Sequence, residues 1–211
     1  MRHEGTVFVV DDDADVRKSL TQLLEGVGWS VRAYATATEF LEGYDPSRLG
    51  CLLLDVRLPG MSGIQLQETL QQRGIAIPVI IVTGHGDVPT AVAAMKRHAL
   101  DFVEKPFRAQ PLLDRVYQAL AQDMERRRAT AESDTIKARF ALLTPREREV
   151  VDLAISGMTN KQIAARFAVS AQAIDARRAK AMDKLRADNI ADLVRLALKA
   201  GRGERREAEQ M

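Results

Sequence analysis

The chain lacks the features that mark membrane-spanning and disulfide-stabilised proteins. Its 211 residues include a single cysteine, so no disulfide can form within the chain. No apolar run approaches the ~20 residues that a transmembrane helix needs. Residues 1–5 lead directly into a strand-like apolar run and contain no apolar signal-peptide core. We therefore expect a cytoplasmic protein that makes no use of a membrane, with Cys51 packed as a small apolar residue.

The chain also lacks a strong net charge, but its charges are unevenly distributed. The formal net charge is +2. Residues 1–122 carry 12 basic and 15 acidic side chains, whereas residues 123–211 carry 19 and 14. Residues 161–186 alone hold seven basic side chains against two acidic ones. A basic segment is often only a solvated surface, but one concentrated on a compact helical unit favours a nucleic-acid partner.

Short apolar runs alternate with amphipathic stretches through the first part of the chain. The pattern predicts strands at 6–11, 30–34, 51–55, 77–82 and 100–104, and helices near 14–27, 36–43, 63–73, 88–98 and from about 108. This alternation is typical of parallel strands joined by right-handed crossovers. We predict an α/β domain at 5–121, a doubly wound five-stranded parallel sheet with flavodoxin-like strand order.

The second part of the chain differs from the first in composition and in its predicted secondary structure. Residues 122–139 are polar and include Arg126, Arg127 and Arg128, which indicates a linker, with a helical extension of the preceding helix as its favoured form. Residues 140–200 predict a smaller all-α domain with helices near 145–156, 160–167, 171–186 and from 189. A capping box opens the first of these at Thr144 and Glu147. Residues 201–211 read as a charged tail.

Polar side chains stand at the ends of four predicted strands: Asp11 with Asp12, Asp55, Thr83 and Lys105. Because the carboxyl ends of parallel strands meet at one edge of a sheet, these side chains can converge. Three close carboxylates repel one another, and Mg²⁺ relieves that repulsion while leaving room for a phosphoryl oxygen. A lysine and a hydroxyl would stabilise negative charge on an incoming phosphoryl group. Taken alone, Asp55 would be interpreted as a polar residue that ends a strand. The other four polar residues at the strand ends favour a site that binds a phosphoryl group.

These residues lie in segments that resemble the receiver domain of two-component response regulators: VVDD at 9–12, LLDVRLPGMSG at 53–63, VTGHGD at 82–87 and FVEKP at 102–106. The resemblance covers nearly all of 5–121. It implies that Asp55 accepts a phosphoryl group from a sensor histidine kinase. It implies a magnesium site formed by Asp11, Asp12, Asp55 and the backbone carbonyl of Arg57.

The same resemblance assigns roles on the neighbouring strands. It implies that Thr83 and Lys105 bind the phosphoryl oxygens and that the Lys105–Pro106 bond is cis. Thr83 and Phe102 occupy the positions of a coupled switch, although Phe102 as an ordinary core residue stays an open alternative.

The second domain contains a candidate helix-turn-helix. Its second and third helices are joined by three residues, which by itself is a weak signal. A stronger one is the resemblance of LTPREREV at 143–150, GMTNKQIA at 157–164, VS at 169–170 and KL at 184–185 to the LuxR-type DNA-binding domain. A receiver joined to this domain resembles response regulators of the FixJ/NarL type.

The third helix departs from the family pattern at three positions. Ala173 stands where threonine is usual, Asp175 where lysine or glutamate is common, and Arg177 where histidine or tyrosine is common. A carboxylate at 175 would repel phosphates but can accept a hydrogen bond from cytosine N4. The residues that we predict to face bases are Gln172, Asp175, Ala176 and Ala179. The residues that we predict to face phosphates are Lys161, Ser170, Arg177, Arg178 and Lys184.

The fourth helix carries an apolar face, with Leu193, Leu196, Ala197 and Ala200. Core packing accounts for much of this face, and the resemblance also implies that it is the surface of a homodimer bound to paired half-sites.

The leading interpretation is a phosphorylation-dependent transcription regulator in which phosphorylation promotes dimerisation and promoter binding, with RNA polymerase as a further candidate partner. A phosphatase that uses Asp55 as its nucleophile is one alternative, but dehalogenase-type phosphatases need a second aspartate where Arg57 stands. A receiver that acts only as a relay or docking module is another, and the basic helical domain argues against it. Beyond self-phosphorylation from a donor and slow self-dephosphorylation, we expect no enzyme.

Overall fold

The computed structural model describes residues 3–84, 95, 97 and 99–201. Most of the helix predicted near 88–98, and the His85 to Asp87 part of the receiver-like motif, lie outside these residues, as does most of the predicted tail. The chain divides into two compact units, with the boundary between Arg127 and Arg128. Among the helices that the structure describes, none combines the length and apolarity needed to cross a membrane.

The first unit is built on five parallel strands, β1 (Thr6–Val10), β2 (Ser30–Tyr34), β3 (Gly50–Asp55), β4 (Val79–Thr83) and β5 (Asp101–Glu104). Their order in the sheet is β2-β1-β3-β4-β5. This confirms the predicted doubly wound sheet and its flavodoxin-like order. The central strands β1, β3 and β4 are buried along their whole length, which explains why they appear in the sequence as continuous apolar runs.

Four helices are described beside this sheet or leading out of it: α1 (Ala14–Gly26), α2 (Ala37–Gly43), α3 (Gly63–Gln72) and α4 (Ala109–Ala141). Side chains of successive strand residues point to opposite faces, so the sheet separates two apolar cores. One core contains Val7, Val9 and Leu53 together with residues of α1 and α4. The other contains Phe8, Val10 and Leu54 together with residues of α2 and α3. Cys51 is fully buried, as expected.

The second unit contains four short helices, α5 (Pro145–Ile155), α6 (Asn160–Phe167), α7 (Ala171–Leu185) and α8 (Ile190–Lys199). Each begins at a side chain that accepts a hydrogen bond from the first turn, namely Thr144, Thr159, Ser170 and Asn189. The predicted four-helix domain is therefore present, with helix ends within one residue of those expected.

The segment predicted as a linker, 122–139, is helical and forms part of α4. Its first part carries a fully buried carboxylate, Asp123, which accepts hydrogen bonds from the Gly50 amide and from Arg126 and Arg127. Its last part carries Ile136, which packs with Phe140 and Leu193 in the core of the second unit. These contacts place the first part of α4 in the first unit and its last part in the second unit. The domain limits that we inferred from the sequence stay predictions.

Candidate functional site

The sheet brings three carboxylates together at its carboxyl edge. In the register between β1 and β3, Val10 lies opposite Leu54, so Asp11 directly follows β1 beside Asp55 at the end of β3. One oxygen atom from each of Asp11, Asp12 and Asp55 lies within 4.8 Å of the others. Asp11 and Asp55 are buried, and Asp12 is exposed. The cluster is therefore open to solvent on the side of Asp12.

Lys105 supplies the positive charge of this cluster. Its Nζ donates a hydrogen bond to Asp55 Oδ2 at 2.9 Å and forms an ion pair with Asp11 Oδ2 at 2.7 Å. Its backbone N–H donates to the carbonyl of Thr83 at 2.7 Å, which fixes the start of the loop after β5. The Lys105–Pro106 peptide is cis, as expected. Lys105 thus lies between two of the three carboxylates.

The pKa values of Asp11 and Lys105 are both raised, the first by burial and the second by charge pairing. Burial raises the pKa of Asp11 above its usual 3.8, and the neighbouring ammonium of Lys105 opposes this rise without cancelling it. Burial lowers the pKa of Lys105, but its contacts with the negatively charged carboxylates of Asp11 and Asp55 outweigh this effect, so the pKa of Lys105 is raised above its usual 10.5. Lys105 is therefore charged at neutral pH and forms ion pairs with two of the three carboxylates.

This donor set fits a hard divalent cation. Within the described part of the chain, Asp11 Oδ2 is buried and accepts no hydrogen bond of good geometry, although Lys105 Nζ is close. Carboxylate oxygens are the protein ligands that Mg²⁺ and Ca²⁺ prefer. The three carboxylates could therefore hold a metal ion.

Two neighbours of the acids were not identified from the sequence. Arg17 Nη1 donates to the backbone carbonyls of Asp11 and Asp12 at 2.7 and 2.9 Å, which holds the acidic loop in place. Gly63 lies against the end of β3, since a Cβ built at Gly63 would lie 2.1 Å from the carbonyl oxygen of Asp55. The only sequence signals for these two contacts are an arginine in the first turn of α1 and a glycine at the start of α3.

The structure also describes Thr83, Arg57 and Phe102, the remaining predicted residues of the receiver. Thr83 is buried at the end of β4, and the Arg57 amide donates to Asp55 Oδ1 at 3.3 Å. Phe102 on β5 is 44% exposed, which excludes the alternative of an ordinary core residue. The switch role of Thr83 and Phe102, and the Arg57 carbonyl as a metal ligand, stay predictions. Asp13 caps α1 by accepting from the Asp15 and Val16 amides.

In the second unit, α6 and α7 form the predicted helix-turn-helix. Ile163 of α6 and Ile174 of α7 are fully buried in one cluster, which sets how the two helices pack. The four residues predicted to face bases, Gln172, Asp175, Ala176 and Ala179, are all exposed on α7. Lys161 is also exposed, and Ser170 Oγ accepts from the Ala173 amide as the cap of α7.

A polar contact that the sequence did not suggest joins the two helices. The Asn160 side chain, at the start of α6, donates from Nδ2 to Asp175 Oδ1. Its Oδ1 accepts a hydrogen bond from Arg178 Nη1 at 3.1 Å. Asp175, predicted to face a base, and Arg178, predicted to face a phosphate, are therefore connected through the side-chain amide of Asn160.

Lys184, predicted to contact phosphate, is engaged inside the domain. Its Nζ lies 2.7 Å from Glu147 Oε2 and 3.4 Å from the Leu142 carbonyl. Glu147 is buried and also accepts from the Thr144 amide in the capping box. The Lys184 hydrogen bond, followed by that from Thr144, lowers the pKa of Glu147 from 4.5 to about 2. Any contact of Lys184 with DNA would compete with this ion pair.

Two family models match the chain. The model described as the response regulator receiver domain matches residues 7–117. The model described as bacterial regulatory proteins of the luxR family matches residues 141–197. The first match contains the carboxylate site and the second contains the helix-turn-helix.

Similarity to individual proteins extends across both units. The chain is 45% identical over 194 residues to nodulation protein W of Bradyrhizobium diazoefficiens, covering 92% of this chain and 86% of that protein. It is 41% identical over 201 residues to the transcriptional regulatory protein FixJ of the same organism, covering 95% and 98%. Among solved structures, the response regulator StyR matches with a TM-score of 0.83 and 44% identity, covering 93% of this chain and 100% of that one.

Proposed function

The chain belongs to the response regulators that join a receiver domain to a LuxR-type DNA-binding domain, and on this basis we propose that Asp55 accepts the phosphoryl group that controls its DNA binding. It is a phosphorylation-dependent transcription regulator and not a conventional enzyme. The receiver implies a histidine kinase as its partner, and the LuxR-type domain implies binding to DNA. The observation that carries the assignment is the convergence of Asp55, Lys105 and two further carboxylates at one sheet edge.

In the proposed transfer, a carboxylate oxygen of Asp55 forms a bond to phosphorus as the phosphorus–nitrogen bond of the kinase phosphohistidine breaks. The departing nitrogen keeps the electron pair of that bond. Negative charge on the phosphoryl oxygens is then stabilised by Lys105, which exchanges Asp55 Oδ2 for a phosphoryl oxygen, and by the Thr83 hydroxyl. The same groups support self-phosphorylation from a small acyl phosphate and slow hydrolysis of the product, both of which are part of the proposal.

Mg²⁺ is the metal that we propose for the carboxylate cluster, held by Asp11, Asp12, Asp55 and the Arg57 carbonyl. It supplies positive charge that offsets the charges of the carboxylates and of the phosphoryl oxygens. Arg17 keeps Asp11 and Asp12 at the site through its hydrogen bonds to their carbonyls.

The switch that we propose links Thr83 to Phe102. A hydroxyl drawn to the phosphoryl group leaves space beside β5, and the exposed Phe102 ring turns inward to fill it. Such a change favours a state with a different surface, and a homodimer on paired promoter half-sites is the state that we propose. Contact with RNA polymerase and a cytoplasmic location belong to the same proposal.

For the DNA surface we propose that Gln172, Asp175, Ala176 and Ala179 face base edges, and that Lys161, Ser170, Arg177 and Arg178 face phosphates. The exposure of the first group and the position of α7 after a short turn support this assignment. We assign Lys184 to the ion pair with Glu147 in preference to a phosphate contact.

The test combines phosphoryl incorporation with DNA binding by the full chain. With an acyl-phosphate donor and Mg²⁺, we expect the mass of the protein to increase by one phosphoryl group and its binding to random-sequence DNA to strengthen. Asp55→Asn should lose both effects, because an amide cannot form the acyl phosphate. Asp13→Asn is the matched control, since asparagine caps a helix as well as aspartate. Phosphorylation that persists in Asp55→Asn, or is lost in Asp13→Asn, would contradict the assignment.

A further inference from the structure

Asn160 occupies a distinctive position between the two helices of the helix-turn-helix. It is the first residue of α6, and its side chain contacts two residues of α7, Asp175 and Arg178. The orientation of its amide is determined by chemistry: a carboxylate can only accept and a guanidinium can only donate. Nδ2 must therefore face Asp175 and Oδ1 must face Arg178. No other arrangement satisfies both neighbours.

This contact limits the freedom of Asp175. The residue lies on the exposed side of the N-terminal part of α7, where recognition helices contact base edges. Its Oδ1 is held by Asn160, while its Oδ2 has no hydrogen-bond partner in the described part of the chain. One acceptor oxygen is thus held in a defined direction and remains available to a ligand.

The chemistry of that oxygen selects one base. In the major groove guanine presents two acceptors, and thymine presents an acceptor and a methyl group. Adenine offers an amino group, but its N7 acceptor lies beside that group and repels a carboxylate. Cytosine offers the N4 amino group without an acceptor in the same position, so a fixed carboxylate favours cytosine.

Arg178 provides the compensating charge. Its side chain is half-buried and donates through Nη1 to Asn160, which leaves other N–H groups of the guanidinium directed away from this bond. A carboxylate near DNA is repelled by the phosphates, and a cation coupled to it through one amide reduces that repulsion. Asn160 therefore positions a charged pair of opposite signs.

We propose that Asn160 is a positioning residue for sequence recognition, which holds Asp175 against the N4 amino group of a cytosine in each half-site and couples it to Arg178. The inference rests on the proposed DNA-binding function. It adds a residue that need not touch DNA and explains how Asp175 is held in position for the cytosine contact expected from its chemistry.

The experiment measures base preference with the phosphorylated full chain. DNA bound from a random-sequence pool is sequenced for the unmodified chain and for Asn160→Ala, Asp175→Asn and the double variant. We expect the unmodified chain to prefer a C·G pair, which presents the cytosine N4 amino group, at one position in each half-site. Each single variant should weaken that preference by about 5- to 100-fold at this position alone. The double variant should be no worse than either single variant, because both changes remove the same contact.

Three further variants keep the result interpretable. Asn160→Asp retains the acceptor for Arg178 and an acid at a helix N-terminus, but it turns a carboxylate toward Asp175, so it should lose the preference while remaining folded. Lys161→Ala should weaken binding to all sequences with the preference retained. Glu149→Gln, at an exposed position of α5, should change neither.

The outcomes separate this inference from the function on which it rests. If the unmodified chain binds DNA but the Asn160 variants keep its base preference, Asn160 serves only to pack the helices and the inference is wrong. A preference for an A·T or T·A pair at the sensitive position overturns it as well. Failure of the unmodified phosphorylated chain to bind any DNA overturns the proposed function itself, and the inference with it.

Discussion

Replacing Glu147 with glutamine removes a charge from the interior of the helical unit and leaves its shape almost unchanged. Glutamine at this position of a capping box can still accept from the Thr144 amide, so the start of α5 keeps its cap. What is lost is the charge that pairs with Lys184 Nζ at 2.7 Å. We expect Glu147→Gln to destabilise the second unit and to leave the first unit unaffected.

The size of the effect follows from the pKa of Glu147. A decrease from 4.5 to about 2 corresponds to at most about 3–4 kcal/mol, since a tenfold change in proton affinity is about 1.4 kcal/mol. The Lys184 side chain is 35% exposed, so solvent screening reduces the expected loss to about 1–2 kcal/mol.

The loss should depend on pH in a defined direction. Because the folded state lowers the pKa of this carboxyl, the stabilisation is fully present above about pH 4.5 and disappears as the pH falls through about 2. The difference in unfolding free energy between the unmodified chain and Glu147→Gln should therefore be full at neutral pH and should shrink steadily below pH 4.5.

Urea titration of the full chain measures this effect. Far-ultraviolet circular dichroism follows the helices, and Trp29, the only tryptophan of the chain, reports the first unit separately by fluorescence. A double-mutant cycle with Lys184→Met isolates the pair energy. In DNA binding, Lys184→Met should leave the salt slope unchanged, whereas loss of a phosphate contact would lower it by about 1. A coupling energy near zero, or a lowered slope, would refute this account of Lys184.

Two further predictions concern the first unit. Gly63→Ala should slow phosphorylation of Asp55 in a phosphoryl-incorporation assay, because the added Cβ would lie 2.1 Å from the Asp55 carbonyl oxygen. Gly26→Ala is the control, since a Cβ added there meets no neighbouring atom within 4 Å. Equal phosphorylation rates in the two variants would contradict the reasoning. Asp123→Asn should lower the unfolding free energy measured by Trp29 fluorescence by about 3 kcal/mol, because Arg126 and Arg127 lose a buried, charged partner. A loss well below 1 kcal/mol would show that hydration of the two arginines replaces this ion pair.

The receiver site was accessible to prediction because a parallel sheet converts positions along the chain into positions in space. Asp55 and Thr83 each end a short apolar run, and the carboxyl ends of such strands meet at one edge. No knowledge of side-chain packing was needed to bring them together. The same alternation predicted parallel strands, and the flavodoxin-like order that we expected for them is the order observed.

Contacts that depend on how helices pack were not predictable in this way. Asn160 lies 15 residues before Asp175, and only the packing of α6 against α7 brings their side chains together. Lys184 appeared to be one more cation on a basic helix, yet its partner Glu147 lies on α5. Asp123 stood in a polar segment without apolar periodicity, which gave no sign that its carboxylate is fully buried.

The division of α4 between two cores has a practical consequence for recombining such regulators. A fragment that begins at residue 140 would omit Ile136 and leave apolar surface of the second unit uncovered, and one that ends at 121 would omit Asp123 and its arginines. Residues 128–131 are exposed throughout. A chimera that exchanges output modules should therefore be joined within these four residues, with the helical register preserved across the junction, so that each module keeps all the residues that complete its own interior.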